Sequence, residues 1–290
     1  EMLRSLVGSE MCIRDRAESL EQFHATSAAT ALATRLAAKI KTATPTLSML
    51  SVRGMMVHSA KWTPEMIRIG NIKDIIPLCG YGVPDEETAL FSNEKYATFI
   101  FENELIPYWE KDGSNTYNQL HFYDLPWPTE VLEQMGEENV KIRITLSYYV
   151  KPSPGYAGRS NKYRYPSATL HFDLKSASES MEEFLCRRNK SEGEKRTDND
   201  TNRWTIKQQR REQGTVQSDW IECTAAELAS CGQIIVYPGQ GWWKERKLAN
   251  VDNVIKYSLI VSIETTKTEI YDAVETAISN RIGVQIMQEV

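Results

Sequence analysis

The chain has 290 residues, a length that suits about two domains or one large one, and it is 41% apolar and 25% charged. That is an ordinary globular composition, and it excludes a collagen, a coiled-coil rod and a wholly disordered chain. Lys and Arg number 34 against 39 Asp and Glu, a net charge of −5, so the clustered basic face that a nucleic-acid partner requires is not expected. No apolar run approaches the ~20 residues of a membrane helix; the longest, such as Tyr257 to Ile263, are strand-sized.

In chain order, the first residues stand apart. Leu6 to Arg16 reads LVGSEMCIRDR. Residues 5–16 resemble translated sequencing-adaptor DNA, the transposase mosaic end, so residues 1–16 are treated as foreign and left out of fold reasoning. On that reading the native start of the gene lies elsewhere. With Cys12 set aside, Cys79, Cys186, Cys223 and Cys231 remain. Their spacing fits neither a disulfide framework nor a metal site. Buried or free thiols are expected, which leans towards a reducing, cytoplasmic compartment.

Thr26 to Ile40 reads TSAATALATRLAAKI, with Ala28, Ala31, Leu32, Leu36 and Ile40 at helical spacing and Thr26 or Ser27 as a candidate cap. A second helix is predicted over about 47–60, with Met49, Leu50, Met56 and Val57 on its buried face. Cys79-Gly-Tyr-Gly-Val-Pro-Asp breaks regular structure, and Glu86 to Phe91 suits one short helix.

After Ser92 the texture changes. Ala97 to Phe101, Val140 to Val150, Ala168 to Leu174, Gln233 to Tyr237 and Lys256 to Glu264 are rich in β-branched and aromatic residues, several in alternation. Pro and Gly punctuate them, which predicts a β-sandwich rather than an α/β sheet. Glu182 to Leu185 and Ala225 to Ala229 suit helical turns, and Arg187 to Arg203 reads as a solvated loop.

A nucleophilic serine needs a fixed hydroxyl, a base and donors for the oxyanion. At a helix N-terminus the serine's own N–H is an unpaired donor, and the helix dipole favours developing negative charge. Thr26-Ser27 ahead of a small-residue helix has that form, although Ser and Thr also simply cap helices.

The order of segments adds more. Thr26-Ser27-Ala28-Ala29-Thr30-Ala31, then Met55-Met56-Val57-His58-Ser59-Ala60, then Gly80-Tyr81-Gly82-Val83-Pro84-Asp85 with Ala89-Leu90, resemble in order three motifs of subtilases, the subtilisin-like serine peptidases. In that family a Gly-Thr-Ser-x-Ala pattern opens a buried helix. A second helix and a Gly-Tyr-Gly segment with a short Ala-Leu helix then close the catalytic domain. The resemblance covers roughly residues 22–92. Thr145-Leu146-Ser147-Tyr148 is similar to a strand of the C-terminal sandwich of intracellular-type bacterial subtilases.

The resemblance implies an α+β chain. Residues 17–95 would be the C-terminal helical part of a subtilisin-like α/β domain, and residues 96–290 a mainly antiparallel β-sandwich. It implies a serine endopeptidase parent acting on polypeptides by a Ser-His-Asp mechanism, with Ser27 as nucleophile and backbone oxyanion donor and Thr26 as a substrate contact. No cofactor or metal is implied. The family's Asp, His and oxyanion Asn precede the serine by long stretches, so the chain by itself is expected to be inactive.

The family's glycine before Thr-Ser is Ala25 here, which bears on the turn before Ser27. His24 lies three residues before Ser27, and a surface or turn role is preferred to a dyad. His58, His121 and His171 read as structural or packing groups. Trp242-Trp243 reads as a turn with one anchoring and one partly exposed indole, in preference to a sugar- or peptide-stacking platform. The rival for the whole chain is a non-catalytic β-sandwich interaction module.

Overall fold

A computed structural model describes residues 11–13, 21–23, 25–90, 96–125, 128–151, 167–189, 203–245, 253–265 and 283–288, with 11–13, 21–23, 186–189 and 283–288 described by backbone alone. The chain divides into two compact units, residues 1–91 and 92–290. It is α+β, and every strand pairing among the described residues is antiparallel.

In the first unit, β1 (Met11–Ile13) pairs with β2 (Glu21–Phe23), Met11 opposite Phe23. β1 lies inside the segment read as foreign. Helix α1 (Thr26–Ala43) buries Ala28, Leu36 and Ile40, a stripe at multiples of four residues. Leu32 sits on the same spacing and is 41% exposed. Helix α2 (Met49–His58) is capped by Ser48, whose Oγ accepts the Ser51 N–H at 3.3 Å. Its buried set is Leu50, Ser51, Val52, Gly54, Met55 and His58. Met49, expected inside, is 57% exposed. It is the first residue of the helix and lies off the Leu50–Met55–His58 side that packs inwards.

Two short helices, α3 (Pro64–Ile67) and α4 (Ile72–Cys79), fill what reads in sequence as connection. They enclose a small core of Met66, Ile75 and Cys79, with Trp62 and Val83 packed against it. The neck of this excursion is a two-residue antiparallel bridge: the Lys61 N–H donates to the Val83 carbonyl and the Val83 N–H to the Lys61 carbonyl, both at 2.9 Å. α5 (Glu86–Leu90) follows.

The second unit consists of two four-stranded sheets. Its strands in chain order are β3 (Tyr96–Leu105), β4 (Tyr108–Lys111), β5 (Ser114–Tyr117), β6 (Gln119–Asp124), β7 (Asn139–Tyr148), β8 (Thr169–Leu174), β9 (Val216–Thr224), β10 (Gln233–Gly239), β11 (Ile255–Thr265) and β12 (Gly283–Gln288). One sheet runs β3-β11-β7-β9 and the other β12-β6-β10-β8; β4 and β5 form a separate hairpin. Ile142, Ile144, Leu146 and Tyr148 alternate into the core from β7, and Tyr257, Leu259, Val261 and Ile263 do so from β11. They meet Leu170, Phe172 and Leu174 of β8 and Ile234 and Val236 of β10 in one continuous core. Two sheets sharing one apolar layer make a β-sandwich. Complete burial of each such side chain contributes about 1.5–3 kcal/mol.

Among the described residues four α-helices belong to this unit: α6 (Thr129–Met135), α7 (Met181–Asn189), α8 (Gln208–Arg211) and α9 (Ala225–Ala229). Phe184 of α7 joins Leu120, Phe122 and Ile235 in a second core on the outer face of the β6-β10 pair. Most of the predicted solvated loop at Arg187 to Arg203 lies outside the described residues.

Trp242 and Trp243 both lie in the core, 6% and 1% exposed, their rings edge-on at 5.9 Å. The expectation of one partly exposed indole is therefore corrected. Gly241 lets the chain press against Ser167, where a Cβ would stand 2.3 Å from the Ser167 carbonyl, and this draws both rings inwards.

Candidate active site

Ser27 is exposed and is the second residue of α1. The cap is Ala25, with no side-chain capping bond, rather than Thr26 or Ser27. The helix begins one residue earlier than the hydroxyl pattern suggests, which places both hydroxyls within the first turn. The first intrahelical donor is the Ala29 N–H, bonded to the Ala25 carbonyl at 3.1 Å. The N–H groups of Thr26, Ser27 and Ala28 precede it and belong to the set that the helix cannot satisfy. No acidic side chain occupies the first turn, so the positive end of the dipole is not offset there.

Ala25 has φ −156° and ψ 160°. This is extended backbone that alanine adopts without strain, so this position asks nothing of glycine. Thr26 is exposed; its carbonyl accepts the Thr30 hydroxyl at 2.8 Å, and Thr30 in turn accepts Thr34 at 2.8 Å. These bonds satisfy the hydroxyl stripe along the outer side of α1.

The three motifs noted in sequence converge within this first unit. α1 packs on α2 and α5. Glu86 of α5 holds Lys39 and Arg35 of α1, the latter at 3.4 Å. Asp85, immediately before α5, binds Lys61 Nζ at 2.6 Å, accepts the Thr88 hydroxyl at 2.6 Å and accepts the Glu87 N–H at 3.3 Å. Partial burial pushes its carboxyl up, but the bonds from Lys61 and Thr88 and the Lys61 charge outweigh that and leave it below the usual range.

Trp62 Nε1 donates to the Gly80 carbonyl at 3.0 Å. Gly82 has φ +101°, and a Cβ there would stand 2.3 Å from the Lys61 carbonyl. The Gly-Tyr-Gly-Val-Pro-Asp run is therefore a splice that joins the end of α2 to α5. Asp85 stands in the third motif with no role assigned to it there. Its signal was present as an Asp ahead of Glu-Glu-Thr, a helix start.

His24 lies outside the described residues. His58 is 1% exposed within α2, and His121 and His171 belong to the second unit. Cys79, Cys223 and Cys231 are free thiols. Burial, with the neighbouring Cys231 and Glu227, pushes Cys223 up to about 12, and burial likewise raises Cys231. Neither is a ready thiolate nucleophile. Among the described residues no three His, Cys, Asp or Glu side chains are grouped to hold a metal ion, and no helix is long and apolar enough to cross a membrane.

The model of the subtilase family matches residues 12–97. The match supports a subtilase-family fragment over that stretch, followed in sequence by a β-rich domain. No curated protein matches the chain. The subtilase family comprises serine peptidases, whose substrates are polypeptides.

Proposed function

We propose that the chain supplies the nucleophile segment of a subtilisin-like serine endopeptidase. Ser27 attacks the scissile carbonyl, and its own N–H donates to the oxyanion. Thr26 contacts the substrate backbone. A histidine acting as general base and acid, an aspartate that orients it and an asparagine that completes the oxyanion site would come from the part of the parent protein ahead of Ser27. Without them the Ser27 hydroxyl has ordinary reactivity, and the chain alone does not hydrolyse peptides. In this reading residues 1–16 are foreign, residues 17–95 are the end of the catalytic domain, and residues 96–290 are a sandwich that steadies it or presents polypeptides to it. The enzyme works in the cytoplasm, needs no cofactor and has neither nucleic acid nor membrane as partner.

The observation that carries this reading is the subtilase match over 12–97 with Ser27 in the unsatisfied first turn of α1. The test is fluorophosphonate labelling of two proteins, the chain alone and the chain joined to its native upstream coding sequence. The longer protein is expected to label, Ser27→Ala to abolish that labelling, and the chain alone to stay unlabelled. Labelling that survives Ser27→Ala removes Ser27 as nucleophile. An upstream sequence without Asp, His and Asn motifs removes the peptidase reading and leaves the sandwich as an interaction module.

A further inference from the structure

The sandwich interior contains a buried imidazole that none of the chemistry above uses. His121 projects inwards from β6 with no exposed surface. Its Nδ1 is 2.6 Å from the Tyr257 hydroxyl of β11 in the opposite sheet. That hydroxyl is also in short contact with the Tyr123 hydroxyl, so three polar side chains bridge the two sheets. The other ring nitrogen, Nε2, is buried and has no hydrogen-bond partner among the described residues.

Among the described residues no charged group acts on the ring; burial is the cause of its shift. β10 places Val236 opposite His121, and β12 places Ile286 in register with it. β3 contributes Phe101, whose ring lies 5.0 Å from that of Tyr123, and Asn103, which hydrogen-bonds Tyr123. Burial raises the pKa of both tyrosines, so they are neutral.

Only a neutral imidazole suits this place. With Tyr257 as donor, Nδ1 accepts and Nε2 carries the proton; with the order reversed, Nδ1 donates and Nε2 is bare. Either order leaves one unmet nitrogen. A protonated ring would have two N–H groups facing one hydroxyl, plus a full charge in a dry core, the most expensive case for a buried polar group.

We propose that His121 is an acid-sensitive latch between the two sheets: neutral, it holds β6 to β11 through the Tyr257–Tyr123 hydroxyl pair, and its protonation opens the sandwich. The sign follows from linkage. Burial lowers the imidazole from 6.5 to about 4 in the folded chain, so the unfolded chain binds this proton more readily. Stability is then lost as pH falls from about 6.5 towards 4.

The test is urea unfolding of the full chain between pH 7.5 and 4, compared with His121→Gln. The wild-type unfolding constant is expected to rise by up to about tenfold per pH unit below 6.5 relative to the variant. Parallel pH profiles would overturn the proposal. Should His121→Gln fail to fold, the wild-type chain with ¹⁵N-labelled imidazoles decides. One histidine is expected to keep neutral-ring signals down to the pH at which the folded spectrum collapses. Titration of every histidine near 6.5 in the folded chain would overturn it.

Discussion

Arg211 and Asp219 form an ion pair at 3.6 Å with 2% and 0% of their side chains exposed, at the side of the sandwich where β8 and β9 are the edge strands of their sheets. The pair belongs to a seal. Three carbonyls on the open edge of β8 receive side-chain donors: Leu170 from Gln217 at 2.7 Å, Phe172 from Arg211 at 3.2 Å, and Leu174 from Arg203. Arg211 also packs against the rings of both Phe172 and Trp204, 4.3 and 4.6 Å from their centres. An unpaired strand edge invites another chain. Here the edge is closed by side chains rather than by backbone.

Removing the guanidinium should therefore both destabilise the sandwich and expose its edge. Asp219 accepts the N–H groups of Ile206, Trp220 and Lys207 at 2.8, 2.9 and 3.0 Å. Burial pushes its carboxyl up, opposed by Arg211 and those donors. Arg211→Met leaves the carboxylate without a countercharge, at a cost of about 3–5 kcal/mol. A raised folded pKa means that stability is fully present below about 3.8, the unfolded value, and declines as pH rises through the folded one. Urea unfolding of Arg211→Met should show a steeper loss of stability above pH 4 than the wild type, with oligomers on size-exclusion chromatography. An unchanged midpoint and a monomeric profile would contradict the seal.

Gly82 carries the splice in the first unit. Its φ of +101° and the 2.3 Å approach of a virtual Cβ to the Lys61 carbonyl leave no room for a side chain. Gly82→Ala should break the Lys61–Val83 bridge and destabilise this unit by about 2 kcal/mol or more, from backbone strain plus displacement. Hydrogen exchange at the Lys61 and Val83 amides is the measurement. Protection equal to wild type would show that the bridge tolerates the change.

The two units should also differ in resistance to protease. Leu32, Met49, Ile67, Ile69 and Leu78 in the first are each more than a third exposed, and the 61–83 excursion rests on a core of three buried residues. The second unit encloses a continuous core of two full sheets. Local opening is easiest where few apolar contacts are buried. Limited proteolysis followed by mass spectrometry should cut first within residues 61–83 and leave a resistant piece from the second unit. Equal rates in both would refute the difference.

Much of this architecture is legible in the residues themselves. The alanine-rich run makes α1, and the alternation in Val140 to Val150 and Lys256 to Glu264 makes the two central strands, because burying one face dictates a period. β9 escaped notice for a physical reason. Gln217 and Asp219 point inwards where apolar residues are expected, and their partners are a carbonyl of β8, a guanidinium of α8 and two amides of the segment 206–207. α3 and α4 were hidden similarly, since four- and eight-residue helices give too short a pattern to read.

At the candidate site, Thr26-Ser27 ahead of small residues was visible, and so was the order of the three motifs. The assignment of Ala25 as cap was not, because a helix start depends on backbone dihedrals and not on hydroxyl content alone. Nor was the anchoring of α1 through Lys39 and Glu86, 47 residues apart.

By itself the sequence determined α1, α2 and the central strands β7 and β11, each with a buried face, and which family the serine segment resembles. Both follow from local periodicity and from residues adjacent in the chain. Tertiary structure alone decided which polar groups could be buried: Asp219 beside Arg211, Gln217 on the β8 edge, and His121 against Tyr257. The partner that makes each burial tolerable comes from another element, and pairings across space leave no period in the sequence.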